Sequence, residues 1–146
     1  MPYSARSLEK RELRVIEFHL DGRSGVAPYL QLIQQVRQAL RLGLLTEGDQ
    51  LPTVKDVVAK VAINPNTVLK AYRELEYEGL VAARPGVGTF IIRTLADQSL
   101  AAHEPLREEL RGWLAKARSA GLDADSVQAL FLSTFRTFHT ATEESA

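Results

Sequence analysis

The sequence contains no cysteine among its 146 residues. Disulfides, thiol nucleophiles and thiolate metal sites are therefore excluded, and zinc fingers built on cysteine are excluded with them. The sequence also lacks any run approaching the roughly 18 consecutive apolar residues that a membrane-spanning helix needs, and its polar start carries no apolar signal core. We therefore expect a cytoplasmic protein with no membrane partner.

An excess of charge of either sign is also missing, because 18 basic residues balance 18 acidic ones. A neutral chain argues, on average, against a nucleic-acid-binding protein. The charges are unevenly distributed, however: positions 53 to 73 hold Lys55, Lys60, Lys70 and Arg73 against Asp56 alone. This basic stretch is either a solvated face or a surface for an anionic partner.

Three consecutive helices are predicted after residue 27. The first opens at Pro28 and is amphipathic; its apolar stripe comprises Tyr29, Ile33, Val36 and Leu40. Thr53 is placed to cap a short second helix that covers residues 54 to 61. Asn64 is placed to cap a third, which Gly79 ends. A tight link between the second and third helices predicts a helix-turn-helix.

Two short strands, at residues 80–84 and 89–92, are predicted directly after the third helix. The connecting Pro85-Gly86-Val87-Gly88 predicts a hairpin turn. It lacks the third glycine and the following helix of a dinucleotide-binding loop, so we do not expect that function. A helix-turn-helix followed by a hairpin is a winged helix, and the predicted fold class is mainly α with a small β-hairpin.

The predicted domain organisation has three parts. Residues 1–27 form an N-terminal extension with a short strand at residues 15–20, where apolar and polar residues alternate. Residues 28–93 form the winged-helix domain. Residues 94–146 form a connector followed by two helices, the second capped by Asp123.

The exposed face of the third helix and the hairpin tip are the candidate DNA-binding surface. Asparagine and threonine at the start of such a helix can read base edges in the major groove, and cations can hold phosphates. The predicted DNA-binding residues are Thr53, Lys55, Asn64, Asn66, Thr67, Lys70, Arg73, Arg84, Gly86, Gly88 and Thr89. Three simpler interpretations remain: an ordinary polar outer face, a structural turn at the tip, and Thr53 as a cap only.

The two C-terminal helices carry apolar stripes that need a covering surface. We predict that a second copy of the chain covers them. The predicted dimerisation residues are Leu106, Leu110, Trp113, Leu114, Val127, Phe131, Phe135 and Phe138. The alternative is that both helices fold back on their own winged helix.

No catalytic or metal-binding pattern is found. His19, His103 and His139 lie in three separate parts of the sequence without ligand spacing. The hydrolase and zinc-protease motifs are also absent. We therefore expect neither an enzyme nor a cofactor or metal. The alternative function to DNA binding is a winged helix that binds a protein instead of DNA.

Residues 28 to 92 resemble the DNA-binding domain of GntR-type bacterial transcription regulators. The matching strings are P-Y-L-Q-L-I from residue 28, E-G-D-Q-L-P-T-V from 47, N-P-N-T-V-L-K-A-Y-R-E-L-E-Y-E-G-L from 64 and R-P-G-V-G-T-F from 84. The wider family often has arginines where this chain has Lys55 and Pro65. The Asn-Pro-Asn-Thr-Val opening is similar to the YtrA-like branch.

The resemblance implies a sequence-specific transcription regulator. Members of the branch carry a short helical tail that makes a homodimer, and they often repress operons encoding ABC transporters. We therefore expect a homodimeric repressor that binds double-stranded DNA at a two-fold symmetric operator. The roughly 50 residues after the hairpin are too few for the effector domain of other branches, so the sequence assigns no small-molecule effector.

Overall fold

The computed structural model of the protein describes residues 16–96 and 100–144. Two compact units are present, and the second begins at Ala102. The elements of the described residues are α1 (Pro28–Arg41), α2 (Val54–Val61), α3 (Pro65–Tyr77), β1 (Val81–Arg84), β2 (Gly88–Ile91), α4 (Leu100–Ser119) and α5 (Ala124–Glu144). The mainly helical fold with one hairpin is as predicted from the sequence.

Local capping residues set the starts of α2 and α3. The Thr53 hydroxyl accepts a hydrogen bond from the Asp56 N–H at 3.1 Å, and the Asn64 side-chain oxygen accepts one from the Asn66 N–H at 2.8 Å. Ala62, between the two helices, adopts a left-handed conformation with φ 51°. These contacts confirm both predicted caps and the tight link that forms the helix-turn-helix.

The core of the first unit lies mainly between α1 and α3. The predicted stripe of α1 is buried at Ile33, Val36 and Leu40, while Tyr29 is half-buried at its edge. The inward face of α3 is buried at Val68, Ala71, Tyr72 and Leu75. An ion pair between Arg37 of α1 and Glu78 at the end of α3 adds a polar link at the surface.

The hairpin gains a third extended segment that the sequence analysis did not identify. In β1 and β2, Val81 pairs with Ile91 and Arg84 with Gly88. The loop before α2 then pairs with the outer edge of β2: the Leu51 N–H donates to the Thr89 carbonyl at 2.9 Å, and the Ile91 N–H donates to the Asp49 carbonyl at 2.8 Å. The hairpin is thereby joined to the start of the helix-turn-helix.

The short strand predicted at residues 15–20 is not formed in residues 16–20, which have no strand partner. The alternating pattern still places Phe18 in the core. The backbone of His19 is bonded instead by the Gln35 side chain, which accepts from its N–H at 2.9 Å and donates to its carbonyl at 2.6 Å. A glutamine of α1 thus takes the place of a neighbouring strand. Residues 1–15 of the predicted extension lie outside the described residues.

The second unit contains α5 and most of α4, with a turn between them. The sequence predicts a connector over residues 94–103, but helix α4 begins at Leu100, and Pro105 lies inside it. The predicted connector is therefore too long, because a proline near a helix start removes few hydrogen bonds and permits one more upstream turn. The Asp123 carboxylate accepts from the Ser126 N–H at 2.8 Å, which confirms the predicted cap of α5.

Tyr72 joins the core of α3 to the loop before α2. Its hydroxyl donates to the Pro52 carbonyl at 2.6 Å, and the side chain is 7% exposed. Burial, together with the charge of Asp56, raises the pKa of Tyr72 well above its ordinary value. The unfolded chain therefore loses this proton at lower pH than the folded chain does. The contribution of protonated Tyr72 to the free energy of unfolding is fully present below about pH 10 and is lost as the pH rises further.

Tyr72→Phe is expected to destabilise the protein by roughly 0.5–1.5 kcal/mol at neutral pH, because the buried hydrogen bond is lost. It is also expected to weaken the alkaline loss of stability, because phenylalanine does not titrate. Urea unfolding at pH 7 and between about pH 10 and 11.5 measures both effects. Tyr77→Phe is the control, since Tyr77 is 91% exposed. An alkaline slope that is the same in Tyr72→Phe and wild type would contradict this account.

Candidate nucleic-acid interface

The outer face of α3 is polar and open along its length. Thr67 is half-buried, and the remaining members of the face are exposed; they are Asn66, Lys70, Arg73, Glu74 and Tyr77. The opposite face is held in the core, so helical spacing alone fixes which side chains point outward. This division is as predicted from the sequence.

Two asparagines lie at the start of α3, and their side chains differ in hydrogen bonding. The Asn64 side-chain oxygen is occupied as the helix cap, so that side chain offers only its amide donors. In the described part of the chain, the Asn66 side chain makes no hydrogen bond of its own, and it retains both the donor and the acceptor that a bidentate contact with adenine requires. Asn66 is therefore the better candidate for base reading.

Lys70 lies over an aromatic ring instead of extending freely into solvent. Its ammonium is 3.8 Å from the ring centroid of Tyr29, the second residue of α1. Such a contact restricts the long side chain while leaving the charge accessible. The spacing of apolar residues places Tyr29 in the stripe of α1 but does not predict this contact, because no local spacing connects α1 with α3. Arg73, one turn further along, is exposed.

Thr53 and Lys55 lie at the N-terminus of α2. Thr53 uses its oxygen as the cap, and its hydroxyl proton remains able to donate to a phosphate. Lys55, the second residue of the helix, is exposed. Lys60, at the other end of the helix, is 3.7 Å from the Glu17 carboxylate, so part of the basic stretch is neutralised within the protein. The candidate phosphate-binding part of α2 is therefore its first turn.

The hairpin tip positions one cation and two glycines with positive φ. The Arg84 guanidinium lies 4.7 Å from the ring centroid of Phe90. Gly86 has φ 76° and Gly88 has φ 145°, conformations that L side chains rarely adopt. A Cβ on Gly88 would also collide with the Gln50 side-chain amide. Thr89 is half-buried in β2. The backbone conformation therefore requires glycine at both positions. Arg84 is the charged group of the tip.

The structure places the predicted residues on the start of α2, on α3 and on the hairpin, and it reveals supporting residues that the sequence alone did not indicate. Tyr29, Gln50 and Phe90 each contact a predicted site residue from another part of the chain. The contacts of Tyr29 and Gln50 span distances in sequence for which there is no periodic signal, and Phe90 contacts Arg84 across the hairpin. Glu76 also contacts the hairpin, through the Ala83 N–H.

Neither a metal site nor a membrane span is found in the described residues. No cluster of three or more histidine or carboxylate groups able to hold an ion occurs within residues 16–96 and 100–144. No helix in the same ranges is long and apolar enough to cross a bilayer.

The second unit exposes the apolar residues that were predicted to form a dimer. Trp113 and Val127 are half-buried, while Leu106, Leu110, Leu114, Phe131, Phe135 and Phe138 are exposed. Near the α4–α5 turn, Leu110, Trp113 and Phe131 line an open groove of about 640 Å³. The aromatic rings of Phe131 and Phe135 stack at 5.9 Å. An exposed apolar surface of this kind, in a chain of which a quarter of the residues are charged, favours a protein partner.

Comparisons with known proteins agree with this geometry. Residues 28–91 match the model of the bacterial regulatory proteins of the gntR family. The HTH-type transcriptional repressor YtrA of Bacillus subtilis is 34% identical over 112 residues, which cover 74% of this chain and 84% of the repressor. The chain belongs to the GntR family. It is a DNA-binding transcription regulator of the YtrA type.

Two further relatives of this GntR regulator are similar over different lengths. An HTH-type transcriptional regulator of Mycobacterium tuberculosis is 42% identical over 74 residues, covering 51% of this chain and 61% of the relative. The crystal structure of a transcriptional antiterminator from Listeria monocytogenes EGD-e is 26% identical, with a TM-score of 0.52, and the match covers 82% of this chain and 90% of that one. The second match includes residues beyond the winged helix.

Lys70→Ala in the GntR regulator is expected to weaken binding to every DNA sequence by a similar factor, because a phosphate contact carries no base information. The slope of log affinity against log salt should become shallower by about one unit. Fluorescence anisotropy titrations at several salt concentrations measure this slope. Lys116→Ala, which removes an exposed cation of α4, is the control and should leave it unchanged. An unchanged slope in Lys70→Ala would remove Lys70 from the phosphate contacts.

Proposed function

We propose that two copies of this regulator bind a two-fold symmetric operator and repress transcription by occupying it. In this proposal residues 28–93 form the DNA-binding domain, and residues 94–146 form the connector and the dimerisation tail. The observation that carries the proposal is the open polar face of α3 beside a hairpin tip that bears Arg84. Both features lie in the part of the chain that matches the family model.

The start of α3 is the proposed base-reading element. Asn66 supplies a paired donor and acceptor for adenine, and Thr67 supplies a hydroxyl and a methyl group, which suit a base edge or a thymine methyl. Asn64 holds the helix start in register through its cap. These side chains enter the major groove in the orientation usual for a recognition helix.

Cations around α3 are the proposed phosphate contacts. Lys70 and Arg73 lie along the helix, while Lys55 and the free N–H groups of α2 lie at the neighbouring helix start. Arg84 and the glycines of the hairpin tip approach the adjacent minor groove, where arginine is favoured by the negative potential. Thr53 at the start of α2 and Thr89 on β2 add hydroxyl donors to this surface.

The exposed apolar surface of α4 and α5 is the proposed dimer interface. A second copy would bury the eight predicted dimerisation residues and remove a large apolar surface from water. A two-fold axis through this interface places the two recognition helices on half-sites separated by about 10 base pairs or a multiple of that spacing. Occupancy of such a site would exclude the transcription machinery.

A mobility-shift titration and footprint on the DNA upstream of the protein's own gene test the proposal. We expect a protected region with two-fold symmetry, and no comparable protection on DNA of the same length and scrambled sequence. Binding that does not distinguish the two DNAs would contradict a sequence-specific operator. An asymmetric single half-site bound by one copy would contradict the dimer.

A further inference from the structure

The backbone N–H of Ala83 in β1 points away from the hairpin. Ile92 donates to the Leu80 carbonyl at 2.9 Å, which makes these two residues a hydrogen-bonded pair next to Val81 and Ile91. Hydrogen-bonded and non-bonded pairs alternate along an antiparallel ladder. Ala83, opposite Thr89, is therefore a non-bonded position, and its N–H needs an acceptor outside the hairpin.

Glu76 of α3 supplies that acceptor. Its carboxylate oxygen Oε2 accepts from the Ala83 N–H at 2.7 Å. A bond to an ionised acceptor is shorter and stronger than one between neutral groups. The hairpin of β1 and β2 is the wing of the winged helix. The recognition helix α3 is thus joined to strand β1 of the wing, one residue before Arg84.

Gln50 supports the same hairpin from its other side. Its side-chain amide donates to the Val87 carbonyl at 3.3 Å and fills the space where a Cβ on Gly88 would lie. The two edges of the wing are therefore held by different parts of the chain: Gln50 before α2 bonds Val87 at the tip, and Glu76 on α3 bonds Ala83 of β1. Of the two, only Glu76 connects the wing with the helix proposed to read bases.

We propose that Glu76 is a positioning residue, which fixes the wing against the recognition helix so that Arg84 meets the DNA backbone or minor groove. The proposal rests on the proposed function. Under this proposal, removing the Glu76 carboxylate changes DNA affinity in the opposite direction from removing an ordinary surface carboxylate. Near a phosphate backbone a solvated carboxylate is repelled, so its removal strengthens binding; removal of a carboxylate that positions the wing weakens it.

The test compares Glu76→Ala with Glu74→Ala in the full-length protein on operator DNA. Each variant removes one negative charge from α3, and the Glu74 side chain makes no hydrogen bond in the described residues. We expect Glu76→Ala to lower operator affinity roughly three- to tenfold, and Glu74→Ala to raise it. Glu76→Gln should bind within about twofold of wild type, because its amide oxygen can also accept from the Ala83 N–H.

A double-mutant cycle with Arg84→Ala separates positioning from a general loss of stability. If Glu76 holds Arg84 in place, Arg84→Ala should cost clearly less affinity in the Glu76→Ala protein than in wild type. Additive losses, or equal gains in affinity for Glu76→Ala and Glu74→Ala, would overturn the proposal. Absence of a footprint with the wild-type protein would instead overturn the proposed function, so the two failures are distinguishable.

Discussion

Phe131→Asp is expected to convert the proposed dimer into a monomer and to lower operator affinity by about 10²–10⁴-fold. Phe131 is exposed on α5, lines the groove with Trp113 and stacks on Phe135. In a closed interface its replacement would bury an unpaired carboxylate, at a cost of several kcal/mol. The affinity loss follows because one recognition helix no longer holds the other close to its half-site.

Sedimentation velocity measures the dimer, and a mobility shift measures the affinity. Ser133→Asp is the matched control, since it introduces the same charge two residues further along α5, about 200° around the helix from Phe131. We expect Ser133→Asp to remain a dimer. A Phe131→Asp protein that still sediments as a dimer would show that the tail surface is not the interface.

Asn66→Ala is expected to cost about 1–3 kcal/mol on the operator, a loss of roughly five- to 150-fold, and much less on random DNA. The reason is that Asn66 retains a free donor and acceptor at the start of α3, where one bidentate contact would carry base discrimination. Titrations on operator and scrambled DNA at the same salt concentration measure the difference.

Gln38→Ala serves as the control for Asn66→Ala. Gln38 is an exposed amide near the end of α1, nine residues and about 13 Å along the helix from Tyr29, which contacts Lys70. Gln38→Ala should leave the affinities for operator DNA and for scrambled DNA unchanged. Equal losses on both DNAs in Asn66→Ala would assign Asn66 to the sugar-phosphate backbone instead of to a base.

The helices of the first unit could be predicted because their signals are local. Thr53 and Asn64 cap the helices that follow them at two or three residues' distance, and apolar spacing separates the buried face of α3 from the open one. These are short-range interactions that a sequence displays directly. The recognition face was predicted for the same reason.

The supports of the site could not be predicted from local spacing, and those from Tyr29 and Gln50 connect distant parts of the chain. The Tyr29 ring under Lys70, the Phe90 ring beside Arg84 and the Gln50 amide at the wing tip all depend on how elements pack. Glu76 has the sequence signature of any exposed helical carboxylate. Its role is visible only once β1 lies beside α3.

The N-terminal segment shows the opposite failure, in which a local pattern was interpreted too strictly. Alternation around Phe18 predicted a strand, and the alternation does direct Phe18 inward. The backbone bonds, however, go to glutamine side chains of α1: Gln35 holds His19, and Gln31 accepts from the Asp21 N–H at 2.8 Å. Alternation reports which side chains are buried, but a strand also needs a partner strand.

Tethered DNA cleavage tests most directly whether α3 and the wing lie against a duplex. Because the natural sequence has no cysteine, Val87→Cys at the wing tip and Ser133→Cys on α5 each provide a single attachment point for an iron chelate that cuts nearby DNA. We predict two symmetric groups of cuts in operator DNA from the Val87 position and background cutting from the Ser133 position. Cutting from Val87 no stronger than that from Ser133, on operator DNA that the protein demonstrably binds, would contradict the account.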